Sequence, residues 1–319
     1  MTIAPKVAAV IVTYNRLEKL RLTLEQTLVQ PFYRVIVINN ASTDGTADYL
    51  NSLADARLQI VHEPENTGGA GGFAHGFKLA AWESEADWLV CYDDDAYPAP
   101  DALARFTELA PEPDVGGVAA AVYFPDGSIC PMNRPGMDIF RSPLTLAKSL
   151  FSHASSTGIN YDAYTGNMPV EVCFSSFVGL FVRCDLIRGA LGLPRAELFI
   201  YRDDSLYTLS LTTAGYRLLF APDLHFIHDC STLASDKPFP MPLWRVYYMN
   251  RNDVIFFKKL AGNYFVVVFL LILLRCLTKL HLYNQPMSFL KTVWTAWHDG
   301  IRENCQKTYG MVIRSTSNF

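Results

Sequence analysis

The stretch that most constrains the fold is Trp88–Pro98, where an apolar run ends in three consecutive carboxylates. A short run of strand-forming residues bounded in this way is typical of a buried β-strand with charge at its C-terminal end. Side chains two residues apart point to the same side of a strand, so we expect Asp93 and Asp95 to converge while Asp94 turns away. Two adjacent carboxylates repel each other unless a cation or a donor-rich ligand lies between them. A solvated acidic turn is the alternative, but the position after a buried strand favours a binding site.

The N-terminal part of the chain alternates strand-like and helix-like segments. Apolar runs at 7–13 and 35–38 and the segment 58–62 predict strands, and helical patterns at 17–30 and 47–53 lie between them. This alternation is typical of a right-handed, parallel α/β sheet. Ligands bind such sheets at the carboxyl ends of the strands, where the acidic stretch also falls. We therefore predict an α/β fold with a mostly parallel sheet flanked by helices.

A glycine-rich segment, Asn66–Gly76, follows the third predicted strand and leads into a helix. Its glycines would let the backbone approach a ligand or a neighbouring element closely. A glycine-rich turn into a helix N-terminus can bind phosphate. The segment is not a dinucleotide fingerprint, because it follows the third strand and no Lys-Ser/Thr pair ends it. The residues alone leave close packing and phosphate contact equally open.

Charge is distributed unevenly along the 319 residues, of which 18% are charged. From Met241 to the end there are ten Lys and Arg against three Asp and Glu, a net charge of +7, whereas the preceding part carries −11. A basic tail on an acidic body suggests an anionic partner such as a membrane surface. Seven cysteines without CxxC spacing favour reduced thiols in the cytoplasm. The N-terminus leads directly into a strand and predicts no signal peptide.

Four motifs, in this order, resemble those of the family 2 glycosyltransferases, which have the GT-A fold. They are Val10–Arg16, Val35–Thr46, Asn66–Phe73 and Asp93–Asp95. The glycine-rich run together with the acidic triplet is most similar to the galactofuranosyltransferase and rhamnosyltransferase-like branch. The resemblance extends over about residues 5–260. It implies a GT-A catalytic domain at 1–235 and leaves a helical C-terminal region at 236–319.

The resemblance also implies a metal site and a catalytic base. It puts a histidine ligand at His228, which with Asp93 and Asp95 would form a mixed oxygen and nitrogen site suited to Mn²⁺ or Mg²⁺. His225 is the weaker candidate. It puts the base at Asp204, with Asp203 beside it. A carboxylate among apolar neighbours and beside a like charge has a raised pKa, which favours proton abstraction. From the residues alone, capping of a helix by these two carboxylates is the alternative.

The implied activity is an inverting, metal-dependent transfer of a sugar from a nucleotide-sugar donor to a saccharide acceptor. We expect UDP-galactofuranose as the donor and a lipid-linked acceptor of bacterial surface-polysaccharide synthesis, with dTDP-rhamnose as the alternative donor. Many family members have Asp-Asp where this chain has Asn39-Asn40, which leaves the nucleotide base open. The residues expected around the donor are Thr13, Asn15, Arg16, Asn39, Asn66, Gly68, Gly69, Asp93 and Asp94.

Two other classes of protein fit less well. A nucleotidyltransferase needs a basic glycine-rich loop near the N-terminus, and Val7–Arg16 has none. A non-catalytic sugar-binding subunit does not need the triplet, the second carboxylate pair and the histidine together. We expect no nucleic-acid partner.

The C-terminal region contains an uninterrupted apolar run of eleven residues, Tyr264–Leu274, flanked by basic residues. It is shorter than the roughly 20 residues that a membrane span needs. Its basic flanks favour peripheral contact with a membrane, here the inner face of the cytoplasmic membrane; a homo-oligomer contact and a buried helix are left open. Arg245 and Arg251 are candidates for binding a pyrophosphate, with ordinary helix packing as the alternative.

Overall fold

The computed structural model describes residues 4–142, 145, 157–230 and 240–317. Its strands are β1 Val7–Thr13, β2 Arg34–Asn39, β3 Leu58–His62, β4 Trp88–Asp93, β5 Ala96–Pro98, β6 Val115–Tyr123, β7 Val170–Val172, β8 Leu180–Arg183 and β9 Arg217–His228. Its helices are α1 Leu17–Leu28, α2 Thr46–Asn51, α3 Gly68–Lys78, α4 Ala102–Leu109, α5 Cys184–Leu186, α6 Asp203–Thr213, α7 Leu243–Ala261, α8 Phe265–Leu277, α9 Pro286–Ile301 and α10 Tyr309–Ser317.

The strands form one nine-stranded sheet in the order β3-β2-β1-β4-β8-β6-β9-β5, with β7 paired to β9. Strands β1 to β4 are parallel, and helices α1, α2 and α3 connect them. Strand β8 is antiparallel to both β4 and β6, and β5 and β7 are antiparallel to β9. The predicted α/β class is confirmed. The parallel arrangement predicted from the first strands is found in β1 to β4, and the other half of the sheet is mixed.

Strand register brings several polar residues to one edge of the sheet. Thr13 at the end of β1 pairs with Asn39 at the end of β2, and Asn39 pairs with His62 at the end of β3. Val12 pairs with Asp93, the last residue of β4. Because parallel strands end at the same edge, the polar residues that follow the four apolar runs lie together.

The sheet is buried on both faces, which explains why its central strands are continuous apolar runs. One apolar layer contains Ala9 and Ile11 of β1 with Val90 and Tyr92 of β4. The opposite layer contains the intervening residues of the same strands, together with Phe73 and Phe77 of α3.

The glycines of α3 serve close packing at two positions. A Cβ atom added at Gly76 would lie 2.3 Å from a methyl group of Val10, and one added at Gly72 would lie 2.5 Å from a methyl group of Val12. Only glycine therefore lets α3 approach β1 this closely. At Gly69, by contrast, an added Cβ would meet nothing within 4 Å. Close packing thus accounts for Gly72 and Gly76 and leaves the space beside Gly69 open to solvent or a ligand.

The described residues of 1–137, 157–196 and 204–231 form one compact unit, and those of 138–156, 197–203 and 232–319 form a second. The first unit contains the whole sheet. The second contains α7 to α10, where Val254 of α7 packs with Phe289, Val293 and Trp297 of α9. The predicted domain boundary between residues 235 and 236 lies outside the described residues.

Helices α7 and α8 are separate, because Gly262 has a left-handed backbone (φ +49°) directly after α7 ends. Among the described residues, Leu243–Leu282 is the helical stretch that is long and apolar enough to cross a membrane by length and composition. Core helices of soluble proteins meet the same criterion. Helix α8 by itself has 13 residues and is about 20 Å long, which is less than the roughly 30 Å of a bilayer core.

Candidate active site

The structure brings Asp93, Asp95 and His228 together at the carboxyl edge of the sheet. One potential ligand atom from each lies within 4.8 Å of the other two. His228 Nε2 lies 3.2 Å from Asp95 Oδ1. Pairing of β5 with β9 sets this distance, because Ala96 pairs with His228 and the Asp229 amide donates to the Asp95 carbonyl at 2.8 Å. Two oxygen donors and one imidazole in a buried corner match the donor set of a divalent-cation site.

The orientation of the His228 ring is set by Asn133, a residue that the sequence did not indicate. His228 Nδ1 lies 2.7 Å from Asn133 Oδ1, and Asn133 Nδ2 donates to Ser176 Oγ at 2.9 Å. Nδ1 therefore donates a hydrogen bond to Asn133 Oδ1, and Nε2 faces the carboxylates. Such an outer partner fixes the tautomer of a metal-binding histidine. The other candidate, His225, has its Nε2 2.9 Å from the Pro222 carbonyl of its own strand.

The three carboxylates of the triplet differ in the direction in which their pKa is shifted. Burial and the nearby charge of Asp95 raise the pKa of Asp93 to about 6, and burial raises the pKa of Asp94 to about 7. Burial would also raise the pKa of Asp95, but the hydrogen bond from His228 and the charges of His228 and Arg16 hold it below the usual value. Burial alone would lower the pKa of His228; the hydrogen bonds and charge of Asp95 and its neighbours raise it to about 10.

Asp94 lies in the turn that follows β4, not in the extended strand that the predicted alternation assumed, and it contacts the end of β1. Its Oδ2 accepts hydrogen bonds from Thr13 Oγ1 at 2.8 Å and from the Tyr14 amide at 3.1 Å. Arg16 forms an ion pair with Asp95, and its Nη1 lies 3.6 Å from Asp94 Oδ1. Three residues expected around the donor, Thr13, Arg16 and Asp94, therefore meet at the strand edge beside the candidate metal ligands.

The asparagines expected near the donor are engaged with the protein. Asn39 is 2% exposed; its Nδ2 lies 2.9 Å from His62 Nδ1, and its Oδ1 accepts from the Ser42 amide. Asn66 Oδ1 accepts from the Gly68 amide at 2.8 Å. Asn15 Oδ1 accepts from the Thr43 amide at 2.7 Å. These contacts hold together the loops after β1, β2 and β3, and the donor-binding role of these asparagines stays a prediction.

The second carboxylate pair begins helix α6. Asp203 is the first residue of the helix and is buried, whereas Asp204 is half-buried. Asp204 Oδ1 accepts hydrogen bonds from the Ser205 amide and, at 3.0 Å, from Ser205 Oγ. The Asp204 charge contributes to raising the pKa of Asp93, so this carboxylate lies within electrostatic range of the triplet. Asp204 therefore contacts the first turn of its own helix and also lies near the acidic triplet.

A second group of potential ligands shares His228. Cys130, His228 and Cys230 each offer one atom within 4.8 Å of the others. Soft thiolates with imidazole would suit zinc. However, burial raises the pKa of the Cys230 thiol to about 12, and His228 presents Nδ1 to Asn133 on this side. The ring orientation therefore favours the group with Asp93 and Asp95.

Comparison with known proteins gives the family. The model of "Glycosyl transferase family 2" matches residues 8–167. Galactofuranosyltransferase GlfT1 of Mycobacterium tuberculosis (strain ATCC 25618 / H37Rv) is 27% identical over 250 residues, which cover 77% of this chain and 77% of that protein. Undecaprenyl-phosphate mannosyltransferase of Micrococcus luteus is 33% identical over 113 residues, covering 34% of this chain and 46% of that protein.

Solved structures show the same fold. The S. aureus TarS 1-349 structure has a TM-score of 0.54 at 15% identity and covers 94% of this chain and 82% of its own. The mannosyltransferase PcManGT from Pyrobaculum calidifontis, solved in complex with GDP-Man and Mn²⁺, has a TM-score of 0.51 at 18% identity and covers 96% and 88%. The predicted GT-A fold and transferase activity are confirmed. This chain belongs to glycosyl transferase family 2 and is a glycosyltransferase.

Proposed function

We propose that the protein transfers galactofuranose from UDP-galactofuranose to a hydroxyl group of a lipid-linked saccharide, with inversion at the anomeric carbon and with the help of a divalent cation. The observation that carries this proposal is the convergence of Asp93, Asp95 and His228 at the strand edge, within electrostatic range of Asp204. Residues 1–235 would form the catalytic domain and 236–319 a helical extension.

Asp93 and Asp95 would supply two oxygen ligands and His228 one nitrogen ligand to Mn²⁺ or Mg²⁺. When bound, the cation would neutralise charge on the leaving nucleoside diphosphate. His228 is prepared for this role because Asn133 binds its Nδ1.

Substitution His228→Asn tests the site by Mn²⁺ binding, measured by calorimetry or by the Mn²⁺ paramagnetic signal. We expect at least about tenfold weaker binding, whereas His225→Asn should bind Mn²⁺ normally. Unchanged binding in His228→Asn would contradict the site.

Asp204 would be the general base. Its carboxylate would take the proton of the acceptor hydroxyl as that oxygen forms a bond to the anomeric carbon, while the bond to the diphosphate breaks on the opposite face. The contacts from Ser205 to Oδ1 would help to orient the carboxylate at the start of α6. General-base catalysis contributes about 10²- to 10⁴-fold.

Substitution Asp204→Asn tests the base. We expect it to lower turnover about 10²-fold or more while leaving UDP binding within about twofold, since a neutral amide cannot take the proton. Asp185→Asn, which changes an exposed aspartate paired with Arg183, is the control and should be fully active. Near-normal turnover of Asp204→Asn would remove Asp204 from the base role.

The donor would lie along the loops after β1, β2 and β3, near Arg16, Gly68 and Gly69. Arg16 is partly exposed, and its guanidinium fits phosphate oxygens. The space beside Gly69 would let a ligand approach the backbone amides at the start of α3. The remaining residues expected there are Thr13, Asn15, Asn39, Asn66, Asp93 and Asp94.

Galactofuranose is proposed because the relatives of this name align over most of the chain. A panel of UDP-, GDP- and dTDP-sugars with Mn²⁺, assayed for donor hydrolysis and transfer, tests this choice. We expect UDP-galactofuranose to be consumed fastest. Preference for dTDP-rhamnose would identify the alternative branch and leave the metal site and the base unaffected.

We further propose that α8 contacts the inner face of the cytoplasmic membrane. One side of this helix is apolar and exposed, from 44% at Leu277 to 68% at Val266. Its members are Val266, Val267, Leu270, Leu271, Leu274 and Leu277. Exposed basic residues flank the helix, at Lys258 and Lys259 before it and at Arg275 near its end. An apolar face with basic flanks on a helix too short to span is suited to lying on an anionic bilayer.

Vesicle sedimentation tests the membrane contact. We expect binding to vesicles containing phosphatidylglycerol, weaker binding to phosphatidylcholine alone, and about tenfold weaker binding after Leu270→Gln with Leu274→Gln. Met168→Gln, which changes an exposed methionine in the first unit, is the matched control. A concentration-dependent dimer without vesicle binding would instead assign the face to a homo-oligomer contact.

A further inference from the structure

Helix α7 contains a run of four polar residues that begins at Asn250, and we call its last three members, Arg251, Asn252 and Asp253, the RND cluster. Arg251 and Asn252 are both 0% exposed. Arginine is almost never fully buried unless it is paired, yet in the described part of the chain Arg251 has no carboxylate partner and its Nη1 has no hydrogen-bond partner. Its guanidinium lies 4.9 Å from the centre of the Tyr248 ring. Burying such groups is costly, so their contacts call for an explanation.

The RND cluster binds backbone carbonyls of residues 197–201 and the side chain of Arg202, in the segment that precedes Asp203 and Asp204. Arg251 Nη2 donates to the carbonyls of Glu197 at 3.1 Å and Leu198 at 3.0 Å. Arg251 Nε donates to Asn252 Oδ1 at 2.8 Å. This contact orients the Asn252 amide so that Nδ2 faces the segment.

Asn252 makes the denser set of contacts. Its Nδ2 lies within hydrogen-bond distance of three carbonyl oxygens, those of Leu198 at 3.1 Å, Ile200 at 2.8 Å and Tyr201 at 2.9 Å. The third member, Asp253, accepts from Arg202 Nε at 2.7 Å. Arg251 is fully buried and its Nη2 binds backbone carbonyls, so Arg251 is not the pyrophosphate ligand that the sequence left open.

The bound segment has an unusual backbone. Phe199, Tyr201 and Arg202 have φ values of +67°, +68° and +62°, in the left-handed region that residues other than glycine rarely adopt. Such conformations persist where surrounding contacts determine them, and they cluster at functional sites. Here the surrounding contacts come from the RND cluster and from stacking of Phe199 on Tyr248, with ring centres 5.0 Å apart.

We infer that the RND cluster positions the catalytic base: by holding the segment in which Phe199, Tyr201 and Arg202 are left-handed, it fixes the backbone from which α6 starts and hence the direction of the Asp204 carboxylate. Asp203 follows the bound segment directly, and Asp204 is the next residue. This inference rests on the proposed role of Asp204. Displacing a catalytic group by about 1 Å can cost about 10²-fold in rate, so the cluster would act on turnover without touching substrate.

Substitution Asn252→Asp tests the inference. It keeps the shape of the side chain but replaces the donor that faces three carbonyls with an acceptor. We expect kcat to fall at least about tenfold, the KM for donor and the affinity for Mn²⁺ to stay within about twofold, and backbone amides of 199–204 to exchange hydrogen faster. The readouts are steady-state kinetics, Mn²⁺ titration and hydrogen-exchange mass spectrometry.

The matched control is Asn250→Asp on the same helix. Asn250 is also a buried amide, but its Nδ2 donates to the Val246 carbonyl of its own helix. We expect it to change neither kcat nor exchange at 199–204. Equal losses of kcat in both variants would mean that a buried charge in α7 is harmful wherever it lies, and would overturn the inference.

A milder variant keeps the test decisive if Asn252→Asp does not fold. Asp253→Asn removes the charge that pairs with Arg202, and we expect about a threefold fall in kcat with unchanged donor KM. Unchanged kcat and unchanged exchange at 199–204 would contradict the inference. An inactive Asp204→Asn beside a fully active Asn252→Asp would refute the inference and keep the proposed base, whereas an active Asp204→Asn would refute the base itself.

Discussion

Strand β4 and helix α8 are both made from uninterrupted apolar runs, yet one is buried and the other is largely exposed. In β4, Leu89, Val90, Cys91 and Tyr92 are all 0% exposed. In α8, more than half the surface of side chains such as Val266 is exposed. Hydrophobicity along the chain is similar, so it does not by itself tell which run lies in a core.

The difference comes from the number of faces that neighbours cover. Strand β4 lies between β1 and β8, and its side chains alternate between two apolar layers. In α8, Phe269, Ile272 and Leu273 pack against the cluster formed with α7 and α9, and the opposite side is exposed. A strand inside a covered sheet needs apolar residues at every position, whereas a soluble helix needs them on one side only. The second apolar side of α8 therefore needs another explanation, which we propose is a membrane.

The largest expected difference comes from placing a charged side chain in each of the two apolar runs, β4 and α8. Val90→Asp would bury an unpaired carboxylate at a fully buried position, which costs several kcal/mol, so we expect little soluble folded protein. Val267→Asp would put the same charge in the exposed first turn of α8, where the helix dipole favours it, and should leave the melting temperature unchanged. Soluble yield and circular dichroism melting measure both. Equal loss in the two variants would show that the α8 face is covered.

Truncation of a large side chain should give a smaller difference in stability between the core around β4 and the exposed side of α8. Phe106 is fully buried, is stacked on Phe181 with ring centres 4.1 Å apart, and contacts Trp88 of β4 edge-on. We expect Phe106→Ala to cost about 3–5 kcal/mol in the free energy of unfolding. Leu271→Ala on the exposed side of α8 should cost about 0.5 kcal/mol or less. Urea unfolding followed by fluorescence gives both values, and similar losses would contradict the contrast.

Addition of one methyl group should have a smaller effect. Gly76→Ala would push a Cβ into Val10 of β1, the strand next to β4, and overpacking costs about 1–3 kcal/mol. The better helix propensity of alanine returns about 1 kcal/mol. Gly69→Ala on the same helix meets open space and should be neutral or slightly stabilising. Thermal unfolding of both variants is the measurement; no loss in Gly76→Ala would mean that α3 can move away from the sheet.

The smallest effect concerns the native surface alone. We expect Leu270→Gln with Leu274→Gln to reduce the fluorescence of the dye ANS bound to the native protein, because the exposed apolar area decreases, while the free energy of unfolding changes by about 0.5 kcal/mol or less. ANS titration at a temperature well below melting measures this. An unchanged signal would indicate that the dye binds elsewhere, and that α8 offers no continuous apolar surface.

Much of the first half of the fold could be predicted because its signals are local. Three of the four parallel strands, β1, β2 and β4, contain continuous apolar runs that end in polar residues. Parallel strands end at one edge, so Thr13, Asn39 and Asp93 had to lie near each other. The mixed half was less predictable, because β5, β7 and β8 have only three or four residues each, too few to show a period.

By itself, the sequence determined the family, the α/β class and the acidic edge of the sheet, because these depend on residue order within short segments. Only the tertiary structure decided how His228 is turned by Asn133, that the Asn39 amide binds His62, and that Arg251 binds backbone carbonyls. Each of these contacts joins residues 23 to 95 positions apart. Local propensity carries no information across such separations, because packing of the whole chain chooses which distant groups meet.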